Sequence, residues 1–109
     1  MAFSMHTHTC GELRAENIGQ TVTLTGWVWH RRDHGGLIFI DLRDRAGVTQ
    51  VSFDPEHSGG TAFHAAEDVR SEWPIKVTGV VRERPEGQDN EKLATGHIEV
   101  LVSELEVLN

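Results

Sequence analysis

The sequence predicts an all-β protein, a small closed barrel of five strands with a single helix between the third and fourth strands. Five short segments have the pattern of strands, and the first and fourth of them alternate apolar and polar side chains as half-buried strands do. Residues 61–73 instead repeat their apolar side chains every three to four positions, as an amphipathic helix does. With 109 residues, the chain is long enough for one domain with one small core.

The predicted strands are joined by short turns, except before the last strand. The expected strand bounds are residues 21–29, 37–43, 48–53, 75–84 and 98–108, with turns at 33–36 and 44–47 and a polar loop at 85–95. That loop is long for a hairpin, so it is a candidate for a functional segment. Gly26, inside the first strand, marks a bend or bulge of the kind that a tightly curved barrel needs.

The predicted helix is capped by Thr61 and stopped by Pro74, because proline cannot donate the backbone hydrogen bond of a helix interior. Its apolar stripe consists of Phe63, Ala66, Val69 or Arg70, and Trp73. Five strands, a helix between the third and fourth, and a long last hairpin loop are typical of the OB-fold, a Greek-key barrel. A split β-sandwich or an SH3-like barrel is the alternative.

Charge is distributed unevenly along the chain. The net charge is −7, which argues against a polyphosphate partner. Residues 30–45, however, hold four arginines against three aspartates, a local sum of +1, while the rest of the chain sums to −8. This concentration of arginines in one segment indicates a functional surface there. The alternative is that they are exposed strand ends held in ion pairs.

Strand alternation sorts the second strand into a core face and an outer face. The expected core positions of the first two strands are Val22, Leu24, Val28, Ile38, Ile40 and Leu42. Phe39 has the opposite parity, so we expect an aromatic ring on an outer polar face. Such a ring can stack on an unpaired base, which is worth roughly 1–3 kcal/mol. The alternative is that Phe39 packs under a tryptophan of the first strand or is covered by the loop.

Polar side chains near Phe39 offer hydrogen bonds to a nucleic acid. Gln50, on the third strand, could present an amide donor and acceptor to the edge of one base, or it could simply be solvated. Arg31 and Arg32 could contact phosphate or a base edge. Arg82 and Arg84 share one face and lead into the long loop, so they could close the other side of the site.

Catalytic and metal-binding patterns are weak in this sequence. Asp41 and Asp44 are expected on opposite faces of a strand, which argues against paired-carboxylate catalysis. Two pairs of histidines lack a thiolate or carboxylate cluster at zinc spacing, so we expect no metal. No residues are spaced like a nucleophile and its base. The sequence favours a binding domain over an enzyme.

Targeting signals are also weak. No apolar run approaches the roughly 20 residues that cross a membrane, and the start lacks the pattern of a signal peptide. We therefore expect no membrane contact. Met5 is a candidate natural start, with residues 1–4 added ahead of it. The single Cys10 cannot form an internal disulfide, which fits a reducing cytoplasm.

Several blocks of the chain carry a close resemblance to one protein family. They are "THTCGEL" (7–13), "GQTVTLTGWV" (19–28), "RRDHGGLIFIDLRDRAGVTQV" (31–51), "VTGVVRERPEG" (77–87) and "LATGHIEVLVSELEVLN" (93–109). In order and over nearly the whole chain, they resemble the N-terminal anticodon-binding domain of bacterial-type aspartyl-tRNA synthetase. Asparaginyl- and lysyl-tRNA synthetases have related domains.

The resemblance implies an OB-fold that binds the anticodon loop of a tRNA. By position, Phe39 resembles a phenylalanine that stacks on the central anticodon base, and Gln50 resembles a glutamine that hydrogen-bonds to that uracil. Arg32 is similar to an arginine that contacts an anticodon base. Arg84 and Asn90 resemble residues of the last hairpin that approach the outer anticodon positions.

Two histidines bear on this resemblance. Family members often carry arginine where this chain has His30, which puts a phosphate contact there in question. His34 precedes a glycine pair. In this respect the chain resembles those family members that also accept the tRNA for asparagine. The resemblance therefore implies a relaxed enzyme that supplies an amidation route to asparaginyl-tRNA.

The resemblance also assigns chemistry to residues outside this chain. Family members carry a class II catalytic domain that uses ATP and magnesium, act as homodimers and are cytoplasmic. The class II signatures are absent here, so we expect a monomeric, excised domain that binds tRNA without a cofactor and without catalysis. The alternatives are a general single-strand-binding OB module and a protein-interaction barrel, which sequence preference for RNA would distinguish.

Overall fold

The computed structural model describes residues 6–57, 61–85 and 87–108. Residues 1–4 and Met5, for which an added leader and a natural start were predicted, lie outside the described residues. The elements are β1 (Thr21–His34), β2 (Leu37–Asp44), β3 (Gly47–Phe53), α1 (Thr61–Asp68), β4 (Pro74–Glu83) and β5 (Ile98–Val107), preceded by a 3₁₀ turn at Ala15–Asn17. No helix in this described part is long and apolar enough to span a bilayer.

The five strands form one closed barrel in the order β1-β2-β3-β5-β4. Neighbouring strands are antiparallel, except that β3 and β5 run parallel. The helix lies between β3 and β4 along the chain. The predicted OB-fold barrel is therefore confirmed, and closure of the sheet excludes the split sandwich.

Alternating side chains of all five strands fill the barrel. The predicted core residues Val22, Leu24, Val28, Ile38, Ile40 and Leu42 are all buried. Val51, Val77 and Val100, from the other three strands, join them in one cluster. The core is therefore built by the period-two pattern of the sequence.

The first hairpin is longer and its turn is tighter than the sequence predicted. The expected turn at residues 33–36 is wrong, because β1 continues through Asp33 and His34 and only Gly35 and Gly36 form the turn. Both glycines have positive φ (60° and 85°), which a two-residue hairpin turn of this hand requires. The extra residues extend the outer face of β1 beyond Trp29.

The bend of β1 involves two separate features. The ladder irregularity with β2 lies between Val28 and His30, not at Gly26. Gly26 has a different role, since a Cβ there would lie 2.4 Å from the carbonyl oxygen of Arg43. The two backbones lie close together here, where β1 stops pairing with β4 and starts pairing with β2.

The helix is shorter than predicted. It begins at Thr61 but ends at Asp68, so Trp73 lies outside it and is exposed. The chain after the helix hydrogen-bonds to β1 instead: Glu72 N donates to Val28 O at 2.6 Å, and Val28 N donates to Trp73 O at 3.0 Å. These bonds satisfy the backbone of a turn in which Glu72 has a positive φ of 71°, and a helix running to Pro74 would prevent them.

Candidate nucleic-acid interface

The outer side of β1, β2, β3, β5 and the end of β4 carries a connected set of polar side chains. Five of them form what we call the polar network: Arg32, Asp41, Gln50, Glu99 and Arg82. The register places Arg32 opposite Phe39 and Asp41 opposite Gln50, so these four side chains share the outer side. The predicted outward parity of Phe39 and Gln50 is thus correct.

Gln50 lies at the centre of the polar network, and both ends of its amide are engaged. Its Oε1 accepts a hydrogen bond from Arg32 Nη2 at 2.8 Å. Its Nε2 donates to Glu99 Oε1 at 2.7 Å. Only 3% of Gln50 is exposed, so it is not the solvated glutamine of the alternative interpretation.

Glu99 is a fully buried carboxylate on the outer side of β5. Its Oε2 accepts from Arg82 Nε at 2.7 Å and Nη2 at 2.6 Å, and from Ser52 Oγ at 3.2 Å. Four donors therefore hold the two oxygens, which is how a buried charge is tolerated.

Arg32, on the outer side of β1, donates hydrogen bonds to one carboxylate and one amide. Its Nη1 donates to Asp41 Oδ2 at 2.9 Å while its Nη2 reaches Gln50. Its side chain is 49% exposed, so this part of the network faces solvent. The ion pairs that composition alone favoured do exist here and between Arg31 and Asp33.

Phe39 is less exposed than its parity predicted. Only 8% of the residue is accessible, so the exposed ring expected from the sequence is wrong for this conformation. Arg32 is its cross-strand neighbour, and the guanidinium extends from there across to Asp41 and Gln50. A base could stack on the ring only after such neighbouring side chains move.

Arg31 lies apart from the polar network. It pairs with Ile40 across the β1–β2 ladder, so it points to the opposite side from Arg32. Its guanidinium contacts Asp33 Oδ1 at 3.1 Å. The structure therefore does not bring Arg31 together with Phe39 and Gln50.

Arg84 lies just after β4 and is buried. Its Nε donates to Ile98 O at 3.1 Å and its Nη1 to Gln88 O at 3.3 Å, while its Nη2 has no hydrogen-bond partner within the described part of the chain. Burial lowers the pKa of this guanidinium, an effect that the nearby carboxylates of Asp41 and Glu99 oppose. An open cleft of about 590 Å³ adjoins it.

Asn90 belongs to the loop between β4 and β5, and its side chain supports that loop. Its Oδ1 accepts from Lys92 N at 3.0 Å, and its backbone N–H donates to Gly96 O at 2.9 Å. The oxygen that could have contacted a ligand is thus used within the loop. Thr95 fixes the same loop to β3 through a hydrogen bond to Val48 O.

The two histidines of β1 lie on the outer side with Arg32. His30 Nδ1 is 3.6 Å from Asp41 Oδ2, and its ring lies 4.5 Å from that of Trp29. His34 is exposed at the end of β1, opposite Leu37. Both side chains therefore flank the polar network, one on either side of Arg32.

Comparison with known proteins agrees with this geometry. Residues 22–108 match the family described as the OB-fold nucleic acid binding domain of the tRNA anticodon type. The chain belongs to this family.

Curated relatives of this OB-fold domain share most of its sequence. It is 63% identical over 103 residues to the aspartate–tRNA(Asp/Asn) ligase of Rubrobacter xylanophilus, and 61% identical over 105 residues to that of Corynebacterium jeikeium. These alignments cover 94% and 96% of the chain. They span only 17% of the length of either relative.

A solved structure shows the same similarity. The asparaginyl-tRNA synthetase of Pyrococcus horikoshii, complexed with asparaginyl-adenylate, superimposes with a TM-score of 0.79 at 30% identity. The match covers 94% of this chain and 22% of that one.

Glu99 is the network residue that the sequence reasoning missed. In β5 it alternates with Ile98 and Val100 like any solvent-facing strand glutamate, so its parity is unremarkable. Its burial arises only because β4 and β3 bring Arg82 and Gln50 against it from both sides. The one available signal was an arginine on the neighbouring strand with the same outward parity.

The OB-fold domain thus presents an aromatic ring, an oriented amide and charged groups on one side of the barrel. These are the groups with which proteins contact single-stranded RNA bases. In the described residues, no group of three or more histidine, cysteine, aspartate or glutamate side chains is arranged to hold a metal ion.

Proposed function

We propose that this chain is the domain with which an aspartate–tRNA ligase recognises the anticodon loop of its tRNA. The observation that carries the proposal is the convergence of Phe39, Gln50 and Arg32 on one outer face of an OB-fold. The relatives that share 63% and 61% of its residues bear the name aspartate–tRNA(Asp/Asn) ligase, which supplies the substrate class.

In this proposal, the central anticodon base stacks on Phe39 and pairs with Gln50. The side chains around the ring must first move, and Arg32, its cross-strand neighbour, can do so because its side chain is half exposed and interface rotamers often change on binding. The uracil then uses Gln50 Oε1, which Arg32 leaves, and the second proton of Nε2, since the first proton is donated to Glu99.

The loop between β4 and β5 meets an outer anticodon position. Arg84 supports this part of the proposal, because it lines an open cleft with Glu83, Gly87 and Asp89, while its buried Nη2 has no hydrogen-bond partner within the described part of the chain. A small shift of the guanidinium would bring this donor to an RNA oxygen in the cleft. Asn90 holds the loop in shape and contributes its remaining polar surface to the same contact.

His34 bears on the choice between two tRNAs. Its exposed position at the tip of the β1–β2 hairpin lets it approach a base next to the central one. Together with the names of the curated relatives, this supports acceptance of both the aspartate and the asparagine tRNA. Arg31, on the opposite side of the strand, has at most a secondary contact with the RNA backbone in this proposal.

The remaining chemistry is assigned to the rest of a longer protein. There, ATP and Mg²⁺ activate aspartate and the enzyme transfers it to the tRNA, as a cytoplasmic homodimer. The curated relatives, of which this chain spans 17%, have room for such a catalytic part. The 109-residue chain supplies binding alone and needs no cofactor for it.

The proposal is tested by the affinity of the chain for RNA stem-loops that differ in one anticodon base. A loop with GUC should bind more tightly than the same loop with GAC, by roughly tenfold or more, because a mispaired base loses stacking and hydrogen bonds. Fluorescence anisotropy measures both constants. Equal affinity for the two loops would instead indicate a general single-strand-binding module.

A further inference from the structure

The amide of Gln50 is held between partners of opposite hydrogen-bonding character. Arg32 can only donate and an ionised Glu99 can only accept. Arg32 faces the amide oxygen at 2.8 Å, and Glu99 faces the amide nitrogen at 2.7 Å. We call this arrangement, Arg32–Gln50–Glu99, the amide clamp.

Rotating the amide by 180° inside the clamp would be strongly unfavourable. The NH₂ group would then face the N–H of Arg32, and the carbonyl oxygen would face the carboxylate of Glu99. Two attractive contacts become two repulsive ones, and Gln50 is too buried for water to relieve them. The clamp therefore leaves one free acceptor and one free donor in a fixed order.

Glu99 is the part of the clamp that persists when RNA binds. It is fully buried, and Arg82 and Ser52 hold its second oxygen. Arg32, in contrast, is half exposed and is the cross-strand neighbour of Phe39, the ring on which the base would stack. The orientation of the amide in a complex thus depends mainly on Glu99.

We propose that Glu99 is a positioning residue that fixes the polarity of the Gln50 amide and so makes the domain discriminate uracil from cytosine. This inference rests on the proposed function. Uracil presents a donor at N3 and an acceptor at position 4, whereas cytosine presents the same two groups in reverse order. A freely rotating glutamine amide matches both bases, and a clamped amide matches only one of them.

The test uses three stem-loops that differ only in the central base: uracil, cytosine, and pyrimidin-2-one, which lacks any group at position 4. With a clamped amide, cytosine meets two like groups, while pyrimidin-2-one meets one. The expected affinity order for the unaltered chain is therefore uracil, then pyrimidin-2-one, then cytosine, with uracil at least about tenfold above cytosine. A rotating amide would put cytosine close to uracil and above pyrimidin-2-one.

Glu99→Gln should release the clamp with little change in shape. Arg82 would hold the oxygen of the new amide, so its NH₂ group would face Gln50 and favour the reversed orientation that Arg32 opposes. The uracil preference over cytosine should therefore fall to about threefold or less. Glu104→Gln is the matched control, since it removes one carboxylate from an exposed site on the same strand. It should keep the full preference.

A readout without RNA reports the same clamp. In ¹⁵N–¹H spectra, one proton of the Gln50 side-chain amide should be shifted downfield by the carboxylate of Glu99, and Glu99→Gln should remove that shift. Thermal unfolding checks that both variants fold. The ranking of the three loops by the unaltered chain needs no variant and decides the question if Glu99→Gln does not fold.

The outcomes separate the two proposals. Equal binding of all three loops by the unaltered chain would contradict the proposed function and the clamp together. A preference for uracil with cytosine ranked above pyrimidin-2-one would contradict the clamp alone. So would a Glu99→Gln chain that folds and keeps the original order.

Discussion

Two outer walls of the same barrel hold their polar side chains very differently. On the wall formed by β1, β4 and β5, Thr23 and Thr78 share a hydrogen bond of 3.0 Å, and Lys76 contacts an exposed Glu106 at 3.4 Å. On the other side, the polar network connects five residues around a fully buried Glu99. Strand alternation is the same on both walls, so alternation does not explain the difference.

The two walls differ in the desolvation free energy that their charged groups require, and the polar network requires more. Removing a carboxylate from water costs several kcal/mol even after relaxation, and its partners return that energy only with good geometry. The wall that carries Thr23, Lys76, Thr78 and Glu106, which we call the solvated wall, avoids this cost. Exposed ion pairs are worth only about 0–1 kcal/mol and require little desolvation. Exposed pairs like those of the solvated wall would be sufficient for stability on every side of the barrel.

The largest contrast is expected in stability. Glu99→Leu leaves Arg82 and Gln50 without their acceptor, so we expect a loss of about 3 kcal/mol in the free energy of unfolding. This lies at the low end for broken buried pairs because 38% of the Arg82 side chain is exposed. Glu106→Leu should cost less than about 1 kcal/mol.

Urea unfolding of the two variants measures that contrast directly. Similar small losses for both would mean that the polar network is held no more tightly than the solvated wall.

The next effect concerns the aromatic ring. Phe39→Leu keeps an apolar side chain but removes the surface on which a base stacks, so RNA affinity should fall by about 1–3 kcal/mol. Val80→Ala, on the solvated wall, is the matched control and should leave affinity unchanged. Isothermal titration with a GUC stem-loop measures both. An unaltered affinity for Phe39→Leu would exclude the stacking role.

A smaller effect should separate two adjacent arginines. Arg32→Gln removes a charged donor from the polar network and should weaken RNA binding by roughly tenfold, as the loss of a charge-assisted hydrogen bond does. Arg31→Gln should weaken it by less than about threefold, because Arg31 points to the other side of β1. If Arg31→Gln weakened RNA binding more than Arg32→Gln, the RNA would lie on the Arg31 side of β1, contrary to our account.

The sequence was sufficient for the fold, and for the face on which Phe39 and Gln50 lie. Both follow from local periodicity, which a strand imposes residue by residue. The sequence was insufficient for the polar network, because its bonds join residues 17, 18 and 49 positions apart. Burial of Glu99 depends on which strands become neighbours, and the parallel β3–β5 pairing is not encoded in any local pattern.

Two local errors have the same origin. The helix was expected to reach Trp73, but backbone hydrogen bonds to Val28 of β1 replace its last turn. Phe39 was expected to be exposed, but only 8% of it is accessible once the strands are assembled in the barrel. In each case, a long-range contact overrides a pattern that is correct locally.

The smallest expected effect is on salt dependence. Within the polar network, Arg32 and Arg82 are balanced by Asp41 and Glu99, so binding there releases few counterions. The logarithm of the affinity should fall with the logarithm of salt with a slope of about −1 to −2, which corresponds to two or three phosphates. A slope steeper than about −4 would indicate a broad basic surface, which we do not expect on a chain of net charge −7.

The most direct measurement is a map of the RNA contact over both walls. Backbone and side-chain NMR signals of the ¹⁵N-labelled chain should be followed as a GUC stem-loop is added. We predict large shifts at Arg32, Phe39, Gln50 and Glu99 and little change at Thr23, Lys76 and Thr78. Shifts concentrated on the solvated wall, with an unchanged Gln50 side-chain amide, would contradict the account.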